Sequence, residues 1–117
     1  MKENHIAAAG GIKEAVKAVR DKIGLMVKVQ VEVTSESEVR QAVESKVDNI
    51  MFDNCSVAQI RDYLRLIPKS ILTEASGGIN LTNIEEYHGC GVDYISIGSI
   101  THSIKVLDLS LLIIEGN

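Results

Sequence analysis

The sequence predicts an α/β chain: roughly four strand–helix units of an open β/α barrel, plus a final C-terminal strand. Three observations predict it. The residues that close successive apolar runs, Glu32, Asp53, Ser76 and Gly98, fall 21, 23 and 22 residues apart. That beat suits a strand of about five residues, a helix of about ten to twelve and two short loops. The acidic turn and apolar run Val47-Asp48-Asn49-Ile50-Met51-Phe52 returns 45 residues later as Val92-Asp93-Tyr94-Ile95-Ser96-Ile97. Between the runs, apolar residues recur at helical spacing.

In chain order, Ile12, Val16, Val19 and Ile23 fall on one face of a first helix. Met26 to Val33 reads as the first strand. Val39, Val43 and Val47 mark a second helix, and the repeat beginning at Val47 leads into the second strand. Val57, Ile60, Leu64 and Ile67 mark a third helix stopped by Pro68, and Ile71 to Ala75 reads as the third strand. A fourth helix ends between Gly89 and Gly91, before the second copy of the repeat. Ser35-Glu36-Ser37-Glu38, Ser56-Val57-Ala58-Gln59 and Thr82-Asn83-Ile84-Glu85 have the capping-box pattern at helix starts. Val106 to Ile114 alternates and then turns apolar, and reads as the final strand that leaves the repeat.

Alternating strands and helices imply parallel pairing with right-handed crossovers. The pattern within strands separates a barrel from a doubly wound sheet. From Leu25 to Val33 the odd positions are all apolar, while Lys28, Gln30 and Glu32 occupy even ones. A doubly wound sheet buries both faces; one helix-covered face and one polar face suit a TIM-like barrel. A complete barrel takes about 250 residues, so 117 residues hold about half of one.

Composition excludes several classes. The apolar share of 45% and charged share of 24% are those of a globular chain, not a disordered one. Two cysteines, Cys55 and Cys90, are too few for a disulfide scaffold and lack metal-ligand spacing. A net charge of −4 argues against nucleic-acid binding, and no run approaches the roughly 20 apolar residues of a membrane span. The N-terminal stretch has no secretory core, so a reducing, cytoplasmic setting is expected.

In barrels, sites form at the C-terminal ends of strands. Glu32 and Asp53 end neighbouring strands, where backbones run about 5 Å apart. Paired carboxylates there hold a metal, stabilise a developing cation or divide acid and base roles; they also cap helices. Ser76-Gly77-Gly78 and Gly98-Ser99 follow the next two strands. Loops of this kind offer backbone N–H groups and a helix N-terminus to a phosphate, or simply make tight turns. Lys2 precedes the first helix as a candidate anion ligand, and His102 follows the Gly98 loop. His88, beside Gly89 at a helix end, suits an interaction with the helix dipole.

These segments, taken in order with Lys2-Glu3-Asn4-His5-Ile6-Ala7-Ala8-Ala9-Gly10-Gly11-Ile12, Val31-Glu32-Val33, Ile50-Met51-Phe52-Asp53-Asn54, Glu74-Ala75-Ser76-Gly77-Gly78-Ile79 and Tyr94-Ile95-Ser96-Ile97-Gly98-Ser99-Ile100-Thr101-His102-Ser103, strongly resemble quinolinate phosphoribosyltransferase. The resemblance covers essentially the whole chain and only the C-terminal part of that family's barrel domain. It implies phosphoribosyl transfer from phosphoribosyl pyrophosphate to quinolinate with decarboxylation, giving nicotinate mononucleotide, pyrophosphate and carbon dioxide in NAD biosynthesis. It implies Mg²⁺ as cofactor, bound with phosphoribosyl pyrophosphate, and a homodimer. By the same resemblance Lys2 contacts the quinolinate carboxylates, and Glu32 and Asp53 face the ribose and the Mg²⁺–pyrophosphate. Ser76, Gly77, Gly78 and Gly98 hold the 5′-phosphate, with His102 close by.

The chain departs from the family pattern at Phe52, where an aliphatic residue is common, and at Gln30, where a second glutamate is frequent. The family's N-terminal domain and its Thr-Arg-Lys and His-Arg segments, which carry most of the substrate-gripping cations, have no counterpart in this sequence. Residues 1–117 are therefore expected to lack turnover alone. An alternative is a non-catalytic, oligomerising barrel fragment that keeps only a phosphate site. A weaker one is the molybdenum-associated homologue of the same family.

Overall fold

A computed structural model of the chain describes residues 11–23, 28–97 and 103–106. The elements are α1 (Ile12–Ile23), β1 (Gln30–Val33), α2 (Glu36–Glu44), β2 (Asn49–Asp53), α3 (Val57–Leu64), β3 (Leu72–Ser76), α4 (Ile84–Tyr87), β4 (Tyr94–Ser96) and β5 (Ser103–Lys105). They form one sheet in the order β1-β2-β3-β4-β5. The first four strands are parallel, as the alternation requires, and β5 returns antiparallel along β4.

The two faces of the sheet differ as the sequence pattern demands. Val31, Val33, Ile50, Phe52, Ala75 and Ile95 point to one face and join Ile12, Val16, Val39, Ile60 and Ile84 from the helices in a single core. Ten of its large side chains are almost wholly buried. Burying each stabilises the fold by about 1.5–3 kcal/mol before chain entropy is counted. Phe52, the departure from an aliphatic, fills this layer and lies near-parallel to the Tyr63 ring at a centroid distance of 6.0 Å. The opposite face carries Gln30, Glu32, Asn49, Met51, Asp53, Glu74, Ser76, Tyr94 and Ser96, none of them in that core.

The 45-residue repeat has a structural cause at the N-terminal ends of the strands. Asp48 Oδ2 accepts the Val29 N–H at 2.7 Å, and Asp93 Oδ2 accepts the Thr73 N–H at 2.9 Å. In return the Asp48 N–H donates to the Val29 carbonyl and the Asp93 N–H to the Thr73 carbonyl. Each aspartate thus fastens its own strand to the preceding one where regular pairing begins. Arg20 of α1 adds a donor to Asp48 at 3.2 Å and to the Lys46 carbonyl at 3.1 Å, tying the first helix to the same end.

The helix starts follow their capping patterns with one exception. Ser56 Oγ accepts the Gln59 N–H while Gln59 Oε1 accepts the Ser56 N–H, a complete capping box. Ser35 Oγ accepts the Glu38 N–H; Glu38 reaches back to the Thr34 N–H and hydroxyl and to the Ser35 hydroxyl. The Thr82 pattern is not a capping box. Asn83 occupies the N-cap without a side-chain cap bond. Asn80 Oδ1 instead accepts the N–H groups of Thr82 and Asn83 and pairs with the Thr82 hydroxyl. An Asx turn one step earlier satisfies the same donors, which leaves α4 only one turn long.

Two boundaries also move. α3 ends at Leu64, with Arg65 as C-cap, before Pro68 is reached. The strand after Ser99 forms at Ser103–Lys105, and Val106 already lies past it; the rest of the stretch to Ile114 lies outside the described residues. β5 is legible only through its partner: its three residues complete the β4 edge in register Tyr94↔Lys105, Ile95↔Ile104 and Ser96↔Ser103.

Candidate active site at the strand C-termini

Register decides which side chains meet. Asp53 pairs with Ser76 across β2 and β3, and Ser96 pairs with Ser103 across β4 and β5. Because Glu74 pairs with Tyr94, Ser76 and Ser96 fall in the same row. Asp53, Ser76, Ser96 and Ser103 therefore form one transverse row at the C-terminal rim. Glu32 belongs to the next row down, opposite Met51, with Glu74 beyond it. Glu32 and Asp53 share a face and neighbouring strands, but they are offset by two residues, about 7 Å along the strand direction. They do not sit side by side at the backbone separation between adjacent strands.

The loop after β3 folds down onto the end of β2. Asn54 adopts a left-handed backbone, φ +54°, and its N–H donates to the Ser76 carbonyl at 3.0 Å. This turn brings Asp53 and Asn54 against Gly77, whose φ is +83°. A Cβ on Gly77 would lie 2.8 Å from Asp53 Oδ1, from Asn54 Oδ1 and from the Asn54 nitrogen. Only a residue without a side chain allows the carboxylate this position. Beyond it, Asn83 Nδ2 donates to the Gly78 carbonyl at 2.8 Å and Asn83 Oδ1 accepts the Asn80 N–H at 2.8 Å. The Gly77-Gly78 backbone is thus held from both sides.

Beneath the rim lies a carboxylate that the sequence pattern did not single out. Glu74 is 5% exposed. Its Oε2 accepts Gln30 Nε2 at 3.2 Å across β2, and its Oε1 accepts the Ser96 hydroxyl at 3.1 Å. Gln30, the second departure from the family pattern, thus ties β1 to β3. Glu74 has the same parity as Ser76, so strand alternation alone could have placed it on this face. Asn54, Asn80 and Asn83 were also missed as loop supports; a left-handed asparagine and an Asx turn are the local signals for them.

Cys55 and Cys90 are free and buried. Burial pushes the Cys55 thiol up, and the charges of Asp53 and Glu38 push it further. Burial likewise raises Cys90. Neither behaves as a ready thiolate. His88 is the exposed C-cap residue of α4. Lys2, Gly98 and His102 lie outside the described residues, which also contain no group of three or more His, Cys, Asp or Glu side chains able to hold a metal ion.

A parallel sheet with helices on one face, polar side chains on the other and its carboxylates and glycines gathered at the strand C-termini is a segment of a β/α barrel. Residues 1–112 match the family described as quinolinate phosphoribosyl transferase, C-terminal domain. The chain belongs to this family. It is 48% identical over 111 residues to a probable nicotinate-nucleotide pyrophosphorylase (carboxylating) of Bacillus subtilis, covering 95% of this chain and 38% of that one. It is 37% identical over 114 residues to the nicotinate-nucleotide pyrophosphorylase (carboxylating) of Homo sapiens, again covering 95% and 38%. The crystal structure of NadC from Streptococcus pyogenes superposes with a TM-score of 0.82 at 39% identity, over 87% of this chain and 36% of that one. The chain thus spans less than two fifths of the length of these relatives.

Proposed function

We propose that this chain supplies the ribose- and phosphate-binding part of a quinolinate phosphoribosyltransferase site in NAD biosynthesis. The observation that carries the reading is the junction of β2 and β3. Gly77 lets the Asp53 carboxylate lie against the loop that would take a 5′-phosphate. A phosphate on the Gly77-Gly78 backbone places the attached sugar over the row that begins with Asp53.

In the proposed reaction the bond from ribose C1 to the pyrophosphate oxygen breaks, and its electron pair leaves with pyrophosphate. The pyridine nitrogen of quinolinate bonds to C1. The 2-carboxyl group departs as carbon dioxide, and a proton takes its place on the ring. Positive charge develops on the sugar as the first bond breaks. Asp53 at the rim and Glu32 one row below are the fixed negative charges on that face, and charge held in place before reaction is an effective stabiliser. Mg²⁺ enters as part of the pyrophosphate-bearing substrate and neutralises the leaving group. Glu32 and Asp53 would act on it through the substrate, in keeping with the lack of a three-ligand cluster among the described residues. Lys2 would contact the quinolinate carboxylates, and Gly98 and His102 would complete the phosphate grip.

The N-terminal part of the relatives supplies the remaining cations, so this chain alone has no turnover in our reading. No helix among the described residues is long and apolar enough to cross a membrane, and two free buried thiols suit a reducing, cytoplasmic setting. A thermal melt of the chain with and without nicotinate mononucleotide tests the binding role. A ligand that binds only the folded state at 100 times its Kd adds about 2.7 kcal/mol. A cooperative melt that millimolar nicotinate mononucleotide leaves in place would sink the reading.

A second reading, self-association through the polar face, draws on that face itself. Leu72 is 42% exposed there, and Asn49 Oδ1 is buried with no hydrogen-bond partner among the described residues. Sedimentation as a monomer across a wide concentration range would exclude it.

A further inference from the structure

We infer that Glu74 is a positioning residue that sets the specificity of the rim: by holding the proton of the Ser96 hydroxyl, it makes Ser96 an acceptor for a sugar hydroxyl and not a donor to phosphate. The inference deepens the proposed phosphoribosyl site and rests on it.

Glu74 lies under the rim with both oxygens engaged by donors from opposite sides, Gln30 Nε2 and Ser96 Oγ. A serine hydroxyl has one proton to give. With that proton directed to Glu74, the remaining capacity of Ser96 Oγ is as an acceptor. Ser96 closes β4 in the same row as Asp53 and Ser76 and is partly exposed. Phosphate oxygens at neutral pH are chiefly acceptors and gain nothing from such a hydroxyl; a sugar O–H donates to it. The rim is thereby divided. Backbone N–H groups of the Gly77-Gly78 loop serve the phosphate, and the Ser96 oxygen serves the sugar. A charge-assisted bond to Glu74 also makes that oxygen a stronger acceptor.

The test compares two probes, ribose 5-phosphate and inorganic phosphate, by calorimetric titration of the full chain and its variants. Glu74→Gln keeps the shape but turns one oxygen into an NH₂ group. The amide can still accept Gln30 Nε2 while its NH₂ donates to Ser96, whose proton is then released toward the rim. Loss of the Glu74 charge favours both anions alike, so the ratio of the two affinities is the readout. The expected result is a fall of about 3- to 10-fold in the preference for ribose 5-phosphate over phosphate, the value of one hydrogen bond. Ser96→Ala, a milder change that keeps the fold where Glu74→Gln does not, should lower the same preference by a similar factor. The double variant should be no worse than Ser96→Ala, because Glu74 acts through Ser96.

An unchanged preference in Ser96→Ala, or additive losses in the double variant, overturns the assignment and leaves the phosphoribosyl reading standing. Equal losses for both probes would reduce Glu74 to a structural role and also overturn it. If the unmodified chain binds neither probe, the phosphoribosyl reading itself fails, and this inference with it.

Discussion

Replacing Gly77 by alanine tests the geometry on which the site depends. Two costs add. The backbone at φ +83° is one that a residue with a Cβ adopts at about 1–2 kcal/mol. The new methyl would also meet three atoms at 2.8 Å, two of them side-chain oxygens and one a backbone nitrogen. The nitrogen belongs to the Asn54 N–H that bonds the Ser76 carbonyl, so it yields only if the turn yields. Overpacking of this kind costs about 1–3 kcal/mol. Gly89 is the matched control: its φ is +81°, and a Cβ there meets nothing within 4 Å. Gly89→Ala should show the backbone cost alone. For 117 residues the unfolding entropy is about 0.25 kcal/mol per degree, so 1 kcal/mol moves Tm by about 4 °C. Gly77→Ala should therefore melt about 4–12 °C below Gly89→Ala and lose the stabilisation by nicotinate mononucleotide as Asp53 is displaced. Calorimetry of the two variants side by side gives the answer. Melting temperatures within about 2 °C of each other would refute the close approach of Gly77 to Asp53.

Three further outcomes are expected. The Val29 N–H holds the Asp48 carboxyl below its ordinary value of 3.8; partial burial opposes this, and Arg20 supports it. A depressed carboxylate stabilises the fold above its unfolded pKa and loses that contribution as pH falls through the folded value. Asp48→Asn should thus be less stable than the parent at pH 7, with the gap closing below about pH 4 in urea titrations; a gap independent of pH would contradict it. Ser56→Ala removes the complete capping box of α3 and should cost about 1 kcal/mol, or roughly 4 °C in Tm; no change in Tm would mean that the box contributes nothing. The buried thiols of Cys55 and Cys90 should resist a thiol reagent at pH 8 in the folded chain and react after denaturant is added, and prompt reaction of either without denaturant would contradict their placement. Since burial raises both thiols, the unfolded chain ionises first, and stability should fall as pH rises above about 8.5.

What the sequence made legible follows from which interactions are periodic. Val31 and Val33 alternate with Gln30 and Glu32 because one face meets helices and the other does not, so the barrel pattern is written into single residues. The 45-residue repeat was visible for an equally local reason: Asp48 and Asp93 each bond the first N–H of the preceding strand, and that task needs an aspartate at the same point of each unit. The relation of Glu32 to Asp53 was not legible, because a residue that closes a strand can stand in either of two rows, and only the pairing partners Met51 and Ser76 decide which. Nor was the importance of Glu74 legible, since an acidic residue inside a strand reads the same whether it faces solvent or two donors. Its partners lie 44 and 22 residues away in sequence, at Gln30 and Ser96. The Thr82 pattern misled for the opposite reason. Asn80 offers its side chain to the same N–H groups from one step earlier, and the Asx turn forms before a capping box can. Local competition thus decided the cap and long-range register decided the rows. The features that position the proposed chemistry, Gly77 against Asp53 and Glu74 beneath Ser96, belong to the second kind: both join residues from different strand–helix units, and neither unit could make the site alone.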